Sequence, residues 1–327
     1  MAARLNQVMQ NEEPRALRVG ISACLLGEPV RYDGGHKHDP SLIGALGGCV
    51  EWVPVCPEVE VGLGVPRPPM RLVHDGSMTR LVVEKTGEDL TARMRAYAAW
   101  RARGLASLEL DGYVLKSKSP SCGPSRVPVH RLEGGAATDG RGLFAETLAE
   151  TLPLLPLEDE RRLARAAVRA HFVERLYAAA RWRTFARRPA RAGDLVAFHA
   201  AHKYALLARS PSHYDALGRL VAAAGRRRIE DAIAQYGVAF AAAYAVPATR
   251  ARHTSALEHM AEFFMRSLSD DERAELITAI ADYRRGATPL EDPLALIRGH
   301  VHRLGVAYLA AQVYLRPAPV PSPTRDT

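Results

Sequence analysis

Cysteine is scarce. Cys24, Cys49, Cys56 and Cys122 are the only four in 327 residues, too few for a disulfide framework that a chain of this length does not need. No run of about 18 apolar residues occurs, so a membrane-spanning helix and a membrane partner are not expected. The opening stretch MAARLNQVMQNEEPRALRVG has no apolar leader core and carries Glu12 and Glu13, so the expected location is cytoplasmic. No segment repeats at solenoid periods. With 47% apolar and 24% charged residues, disordered and fibrous classes are excluded. Most cytosolic cysteines are small buried hydrophobes, so context has to decide whether these are more.

Charge is unevenly placed. Residues 1–156 hold 18 Lys and Arg against 18 Asp and Glu, whereas residues 157–327 hold 26 against 18, so the whole excess of +8 lies in the second half. Texture changes at the same point. Gly- and Pro-rich segments with short β-prone runs (LRVGIS, WVPVC, RLVVE, GYVLK) give way to long Ala, Leu and Arg stretches at helical spacing. The joint falls in TLPLLPLEDE, which predicts an α/β domain over 1–156 and a basic helical domain over 157–316. The Pro-rich end RPAPVPSPTRDT predicts a disordered tail over 317–327.

Leu17–Ser22, Trp52–Val55 and Gly112–Leu115 are short, β-prone and bounded by turn residues, as strands buried on both faces of a parallel sheet are. Between the last two, Leu90, Met94, Tyr97 and Trp100 or Ala98 recur at helical spacing within Asp89–Arg103, and Arg141–Thr151 reads as another helix. Strands alternating with helices predict a doubly wound, Rossmann-like α/β fold.

Cys24, Cys56 and Cys122 each follow one of these strands, at the edge where open parallel sheets bind ligands. Cys49 precedes a strand and is assigned a structural part. The spacings of 32 and 66 residues include no close CxxC pair, which disfavours structural zinc and ferredoxin-type clusters. Three readings stay open: a [4Fe-4S] cluster with one iron free of protein ligand, a catalytic thiol, and zinc.

Three blocks, SACLLGEPVRYDGGHK, VCPEVEVGLGVPRPP and LKSKSPSCG, together resemble the thiouracil desulfidase family over about residues 17–155. FHAAHKYALLARSPSHYDALGRLV resembles the all-helical domain of unassigned chemistry often fused behind it, over about 190–310. The resemblance implies a [4Fe-4S] cluster on Cys24, Cys56 and Cys122 that takes sulfur from thiolated uracil; it gives Cys49 no role. A soft thiocarbonyl sulfur suits an open iron, and water attacking the ring carbon needs an acid or base nearby. Glu58, two residues from Cys56, is the expected acid or base, against a plain ion pair with Arg67 or Arg71. Ser119 is the favoured catalytic hydroxyl. Asp33, Lys116, Ser117 and Ser121 are expected to contact substrate, with turn or surface parts as the alternatives.

The second half predicts helices over about 158–188, 194–208, 212–224, 228–245, 249–267, 270–285 and 291–313, the last broken near Gly305. Ser269 and Glu272 have capping-box spacing, and Leu195, Phe198, Ala201, His202 and Leu206 form an inward stripe. Arginine runs interleaved with Trp182, Phe185 and Tyr204 suggest a polyanion partner. The expected RNA contacts are Arg187, Arg188, His202, Lys203, Arg209, Arg226, Arg227 and Arg228, beside His213 and Tyr214. With a thiouracil-handling domain in front, the expected partner is tRNA carrying 4-thiouridine, its thiobase extruded into the first domain. The alternatives are a free-thiouracil enzyme with a dimerisation domain, and a non-catalytic RNA-binding or cluster-sensing protein.

Overall fold

The computed structural model describes residues 16–48, 50–131 and 134–316. The expectations for Cys49 and for the 317–327 tail lie outside them. The strands are β1 (Leu17–Ser22), β2 (Val50–Val55), β3 (Met70–His74), β4 (Thr79–Val83), β5 (Gly112–Leu115), β6 (Val127–Arg131), β7 (Ala136–Gly140) and β8 (Leu157–Asp159).

One sheet has the order β2-β1-β5-β8, parallel throughout. Its central strands are near-continuous apolar runs because both faces are covered, and every residue of β5 is buried. The helices between strands are α1 (Pro40–Leu46), α2 (Pro57–Glu60), α3 (Thr91–Ser107) and α4 (Leu143–Thr151). In α3 the apolar stripe runs through Met94, Tyr97 and Ala98, while Trp100 is 62% exposed. After β2 the chain returns to the other side of β1, so the winding reverses between β1 and β5. That reversal opens a crevice at the carboxyl ends of the strands.

A second sheet, β4-β3-β6-β7, was not legible beyond the RLVVE run. β3 and β4 form an antiparallel hairpin, β6 lies parallel to β3, and β7 returns antiparallel. Pro128 and the polar residues of AATDG blur the alternation that would mark β6 and β7.

By packing, the chain divides into residues 16–180 and residues from 181 onward. The sequence texture changes earlier, at 156/157. Residues 157–180 go with the first unit because β8 pairs with β5 and because Phe172 and Leu176 close over Gly112. A Cβ at Gly112 would lie 2.1 Å from Leu176 Cδ2, so only glycine admits that contact.

The segment expected as one helix over 158–188 is β8, then α5 (Glu160–Leu163) and α6 (Ala166–Ala186). The second unit continues with α7 (Ala192–Ala201), α8 (Lys203–Leu207), α9 (Pro211–Ala223), α10 (Ile229–Ala245), α11 (Arg250–Ala261), α12 (Asp270–Arg285), α13 (Glu291–Arg303) and α14 (Ala307–Ala310). Ser269 and Glu272 form the expected reciprocal cap of α12, and Gly305, at φ +64°, breaks the last helical stretch. The core of this unit is aromatic: Trp182, Phe185, Phe198, Tyr236, Phe240 and Tyr244 are all buried. Among the described residues no helix is long and apolar enough to cross a membrane.

Candidate active site

The three cysteines that follow parallel strands line one cleft of about 540 Å³. Cys24 sits in the short turn helix Ala23–Leu26 directly after β1, and its carbonyl accepts the Lys37 N–H at 2.8 Å. Cys56 caps α2 and donates its backbone N–H to Glu60 Oε1 at 3.2 Å, while Glu60 Oε2 accepts the Tyr97 hydroxyl at 2.7 Å. Cys122 ends the loop that leaves β5, its N–H held by Ser119 Oγ at 3.0 Å.

The thiols are close enough to influence one another pairwise: Cys24 with Cys56, and Cys122 with both. Burial pushes the Cys24 thiol up to about 11, against the pull of Lys116 and Arg31. Burial also raises Cys56, opposed by the N–H groups of Val59 and Glu58, and raises Cys122 further, with the Glu58 carboxylate and the other two thiols adding to it. Among the described residues no three His, Cys, Asp or Glu side chains gather tightly enough for a single metal ion.

Glu58 lines the same cleft and is also an ion-pair partner. Its Oε2 receives Arg67 Nη2 at 2.5 Å and Nε at 3.0 Å, while the buried guanidinium donates further to the carbonyls of Gly64 and Val30. Oε1 of Glu58 has no hydrogen-bond partner among the described residues. Ser119 lines the cleft as well; its oxygen accepts from Ser121 N–H and Cys122 N–H, and its own proton has no acceptor among the described residues. Lys116 and Ser117 line the cleft, but Ser117 gives its hydroxyl proton to Glu160 at 2.6 Å, leaving only lone pairs for a ligand.

Two expected substrate contacts do not line the cleft. Ser121 is fully buried, and its carbonyl receives Phe144 N–H and Ala145 N–H at the start of α4. Asp33 closes a turn through Gly35 N–H at 3.1 Å and pairs with Arg31; that N–H first, and then the guanidinium, hold its carboxyl below the usual range. Arg31, Lys118 and Arg161 complete the rim, and Glu160 supports it from behind. Glu160 escaped the sequence reading because it sits in the stretch taken as a domain joint.

In the helical unit, Arg187, Arg188, Arg226, Arg227 and Arg228 are exposed, and Lys203 is half-buried over the Tyr204 ring. His202 and Arg209 are not available to RNA. His202 is fully buried and bonded to the Phe198 carbonyl at 2.8 Å; Arg209 is buried and spends Nη1 on the Ala205 carbonyl. Trp182, Phe185 and Tyr204 are core aromatics rather than stacking surfaces.

A Rossmann-like sheet with three thiols at its carboxyl edge, beside a carboxylate and a free hydroxyl, defines a thiol-lined α/β site. The profile of the family described as 2-thiouracil desulfurase matches residues 19–160, the segment that builds the sheet and the cleft. The chain belongs to this family, and a second family, described as a protein of unknown function (DUF1722), matches residues 203–319.

Among curated relatives, the uncharacterized protein YbgA of Escherichia coli (strain K12) is 32% identical over 123 residues, 37% of this chain and 73% of YbgA. The uncharacterized protein YbbK of Bacillus subtilis (strain 168) is 29% identical over 135 residues, 40% of this chain and 88% of YbbK. Among solved structures, the [4Fe-4S]-dependent thiouracil desulfidase TudS is 33% identical, covering 45% of this chain and 93% of its own, with a TM-score of 0.37.

The donor set fits a [4Fe-4S] cluster. All three ligands are thiols, the ligand type that suits iron–sulfur clusters. They surround a cleft rather than a point, as a polynuclear group requires and a single zinc ion does not.

Proposed function

We propose that this protein removes sulfur from a thiolated uracil through a [4Fe-4S] cluster held by Cys24, Cys56 and Cys122, and that its substrate is 4-thiouridine in tRNA, converted to uridine. The observation that carries the reading is the convergence of three thiols, from three strand ends, on the cleft that also holds Glu58 and Ser119. When bound, a cluster with one iron free of protein ligand supplies a soft Lewis acid for the thiocarbonyl sulfur. The reaction is non-redox: water oxygen bonds to the ring carbon, the carbon–sulfur bond breaks, and sulfur leaves as hydrogen sulfide.

The chain's own part is acid–base and positional. Arg67 fixes one oxygen of Glu58 and leaves Oε1 open to take the proton of the attacking water. Ser119 has a free hydroxyl proton to donate to a ring acceptor. Lys116 places positive charge at the cleft, where negative charge develops as water adds.

The tRNA part rests on the helical unit. Residues 181–316 hold 20 Lys and Arg against 13 Asp and Glu, a balance of +7, and the arginines at 187–188 and 226–228 are exposed. The test is anaerobic reconstitution with iron and sulfide, followed by assay on 2-thiouracil, 4-thiouracil and 4-thiouridine-containing tRNA. Sulfide release with tRNA preferred supports the whole reading. Turnover of the free base alone removes tRNA from it, and no sulfide from any of the three refutes the desulfidase.

A further inference from the structure

Glu160 does not line the cleft, yet it makes more contacts with the cleft's wall than any carboxylate that does. It is 8% exposed, at the junction of β8 and α5, and both its oxygens are spent on two consecutive residues of the loop leaving β5. Oε2 accepts the Ser117 N–H at 2.8 Å; Oε1 accepts the Ser117 hydroxyl at 2.6 Å and the Lys116 ammonium. From the other side, Ser22 Oγ accepts the Lys116 N–H at 2.9 Å. The loop thus begins in a clamp made by the end of β1 and the first residue of α5, and ends at Cys122. Between those points Lys118 adopts a left-handed φ of +59°, a conformation costly for lysine, so the loop depends on outside bonds to hold its shape.

A surface ion pair would contribute little and could be exchanged freely. This carboxylate is buried, fully used, and bonded to a lysine whose side chain faces the reacting space. We propose that Glu160 is a positioning residue of the desulfidase site: it clamps Ser117 and aims Lys116 into the cleft, setting where positive charge stands relative to the substrate. This rests on the desulfidase reading for its kinetic part and on the hydrogen bonds alone for its structural part. Glutamine at 160 preserves length and shape. With its carbonyl oxygen on the Ser117 N–H, its amide nitrogen can still donate to the Ser117 hydroxyl oxygen but only repels the Lys116 ammonium, so glutamine releases the lysine, whereas alanine at 160 releases Ser117 as well.

The test uses the full chain with Glu160→Ala, with Glu160→Gln, with Lys116→Met, or with the last two together, in metal-free form and after anaerobic reconstitution. In the metal-free protein, amide exchange over 116–122 is expected to speed on the order of 10-fold in Glu160→Ala, and to change little in Glu160→Gln and Lys116→Met, which keep both Ser117 bonds. After reconstitution, Glu160→Gln keeps wild-type iron content and melting temperature. It loses about 10- to 100-fold in kcat on 4-thiouracil, the range for partners that orient active groups, with KM within about threefold. The double variant loses no more than the worse single variant, because both substitutions act through one lysine. Unchanged exchange in Glu160→Ala would overturn the clamp. Losses that multiply in the double variant would overturn the route through Lys116. If the wild type releases no sulfide from any thiouracil, the desulfidase reading fails while the exchange measurement still decides the clamp.

Discussion

Acidification should unfold the helical unit through its buried histidines, and His202 should carry much of the effect. His202 is fully buried, 4.1 Å from the Phe198 ring and 5.1 Å from Phe240 between ring centres, with Nδ1–H donating to the Phe198 carbonyl. Burial, with Arg181, His199 and Arg209 nearby and only that carbonyl favouring the charged form, pushes its pKa down to about 3. His199, stacked on Tyr214 at 4.9 Å, is pushed down by burial to about 4. In the unfolded chain both titrate near 6.5. The unfolded state therefore binds more protons below pH 6.5, so stability is complete above that pH and falls as pH drops toward the folded values. Each histidine contributes a slope of about 1.4 kcal/mol per pH unit, or about 2 kcal/mol by pH 5. Together they remove about 4 kcal/mol from a domain stability that is typically about 5–15 kcal/mol. Urea unfolding at pH 7, 6 and 5, followed by Trp182 fluorescence in a Trp52→Phe, Trp100→Phe background, measures this. His202→Gln should flatten the dependence by about 1.4 kcal/mol per pH unit between pH 6 and 4.5. An unchanged slope in that variant would refute the reasoning.

Glu58→Gln keeps the Arg67 contact while removing the titrating group, so turnover should fall on the order of 10²- to 10⁴-fold with iron content retained; near-normal turnover would leave Glu58 as an ion-pair residue only. Gly237 packs against Trp182, where a Cβ would meet the indole Nε1 at 2.5 Å, so Gly237→Ala should cost about 1–3 kcal/mol in urea unfolding of the helical unit. Charge reversal at Arg187 and Arg188, or at Arg226–Arg228, should weaken tRNA turnover and leave 4-thiouracil turnover intact. Wild-type tRNA affinity should fall with salt at a log–log slope of about −0.7 to −0.9 for each phosphate neutralised, and equal loss on both substrates would remove tRNA from the account.

The parts of the molecule written in short-range pattern were readable in the sequence. β1 and β5 are short β-prone runs bounded by turn residues, and their limits coincide with the observed strands. The convergence of Cys24, Cys56 and Cys122 followed from placing each after a strand of a parallel sheet. The second sheet was hidden because Pro128 interrupts β6 and β7 is polar and largely exposed, and β8 because three residues beside two prolines look like a linker.

Side-chain direction was the other loss. His202 and Arg209 stand among basic residues in the chain, but the turn at His202 between α7 and α8 leaves both side chains buried. Ser117, Ser119 and Ser121 alternate along one loop, yet only the first two line the cleft. Glu160 acts on residues 43 positions away, a separation that carries no local signal.

Iron and sulfide content after anaerobic reconstitution, measured on single Cys→Ala variants, tests the central claim most directly. Cys24→Ala, Cys56→Ala and Cys122→Ala should each lose the cluster and its broad absorbance near about 400 nm. Cys49→Ala should keep both at wild-type level. A full complement of iron in Cys56→Ala, or complete loss in Cys49→Ala, would contradict the assignment of the three strand-end thiols as the cluster's ligands.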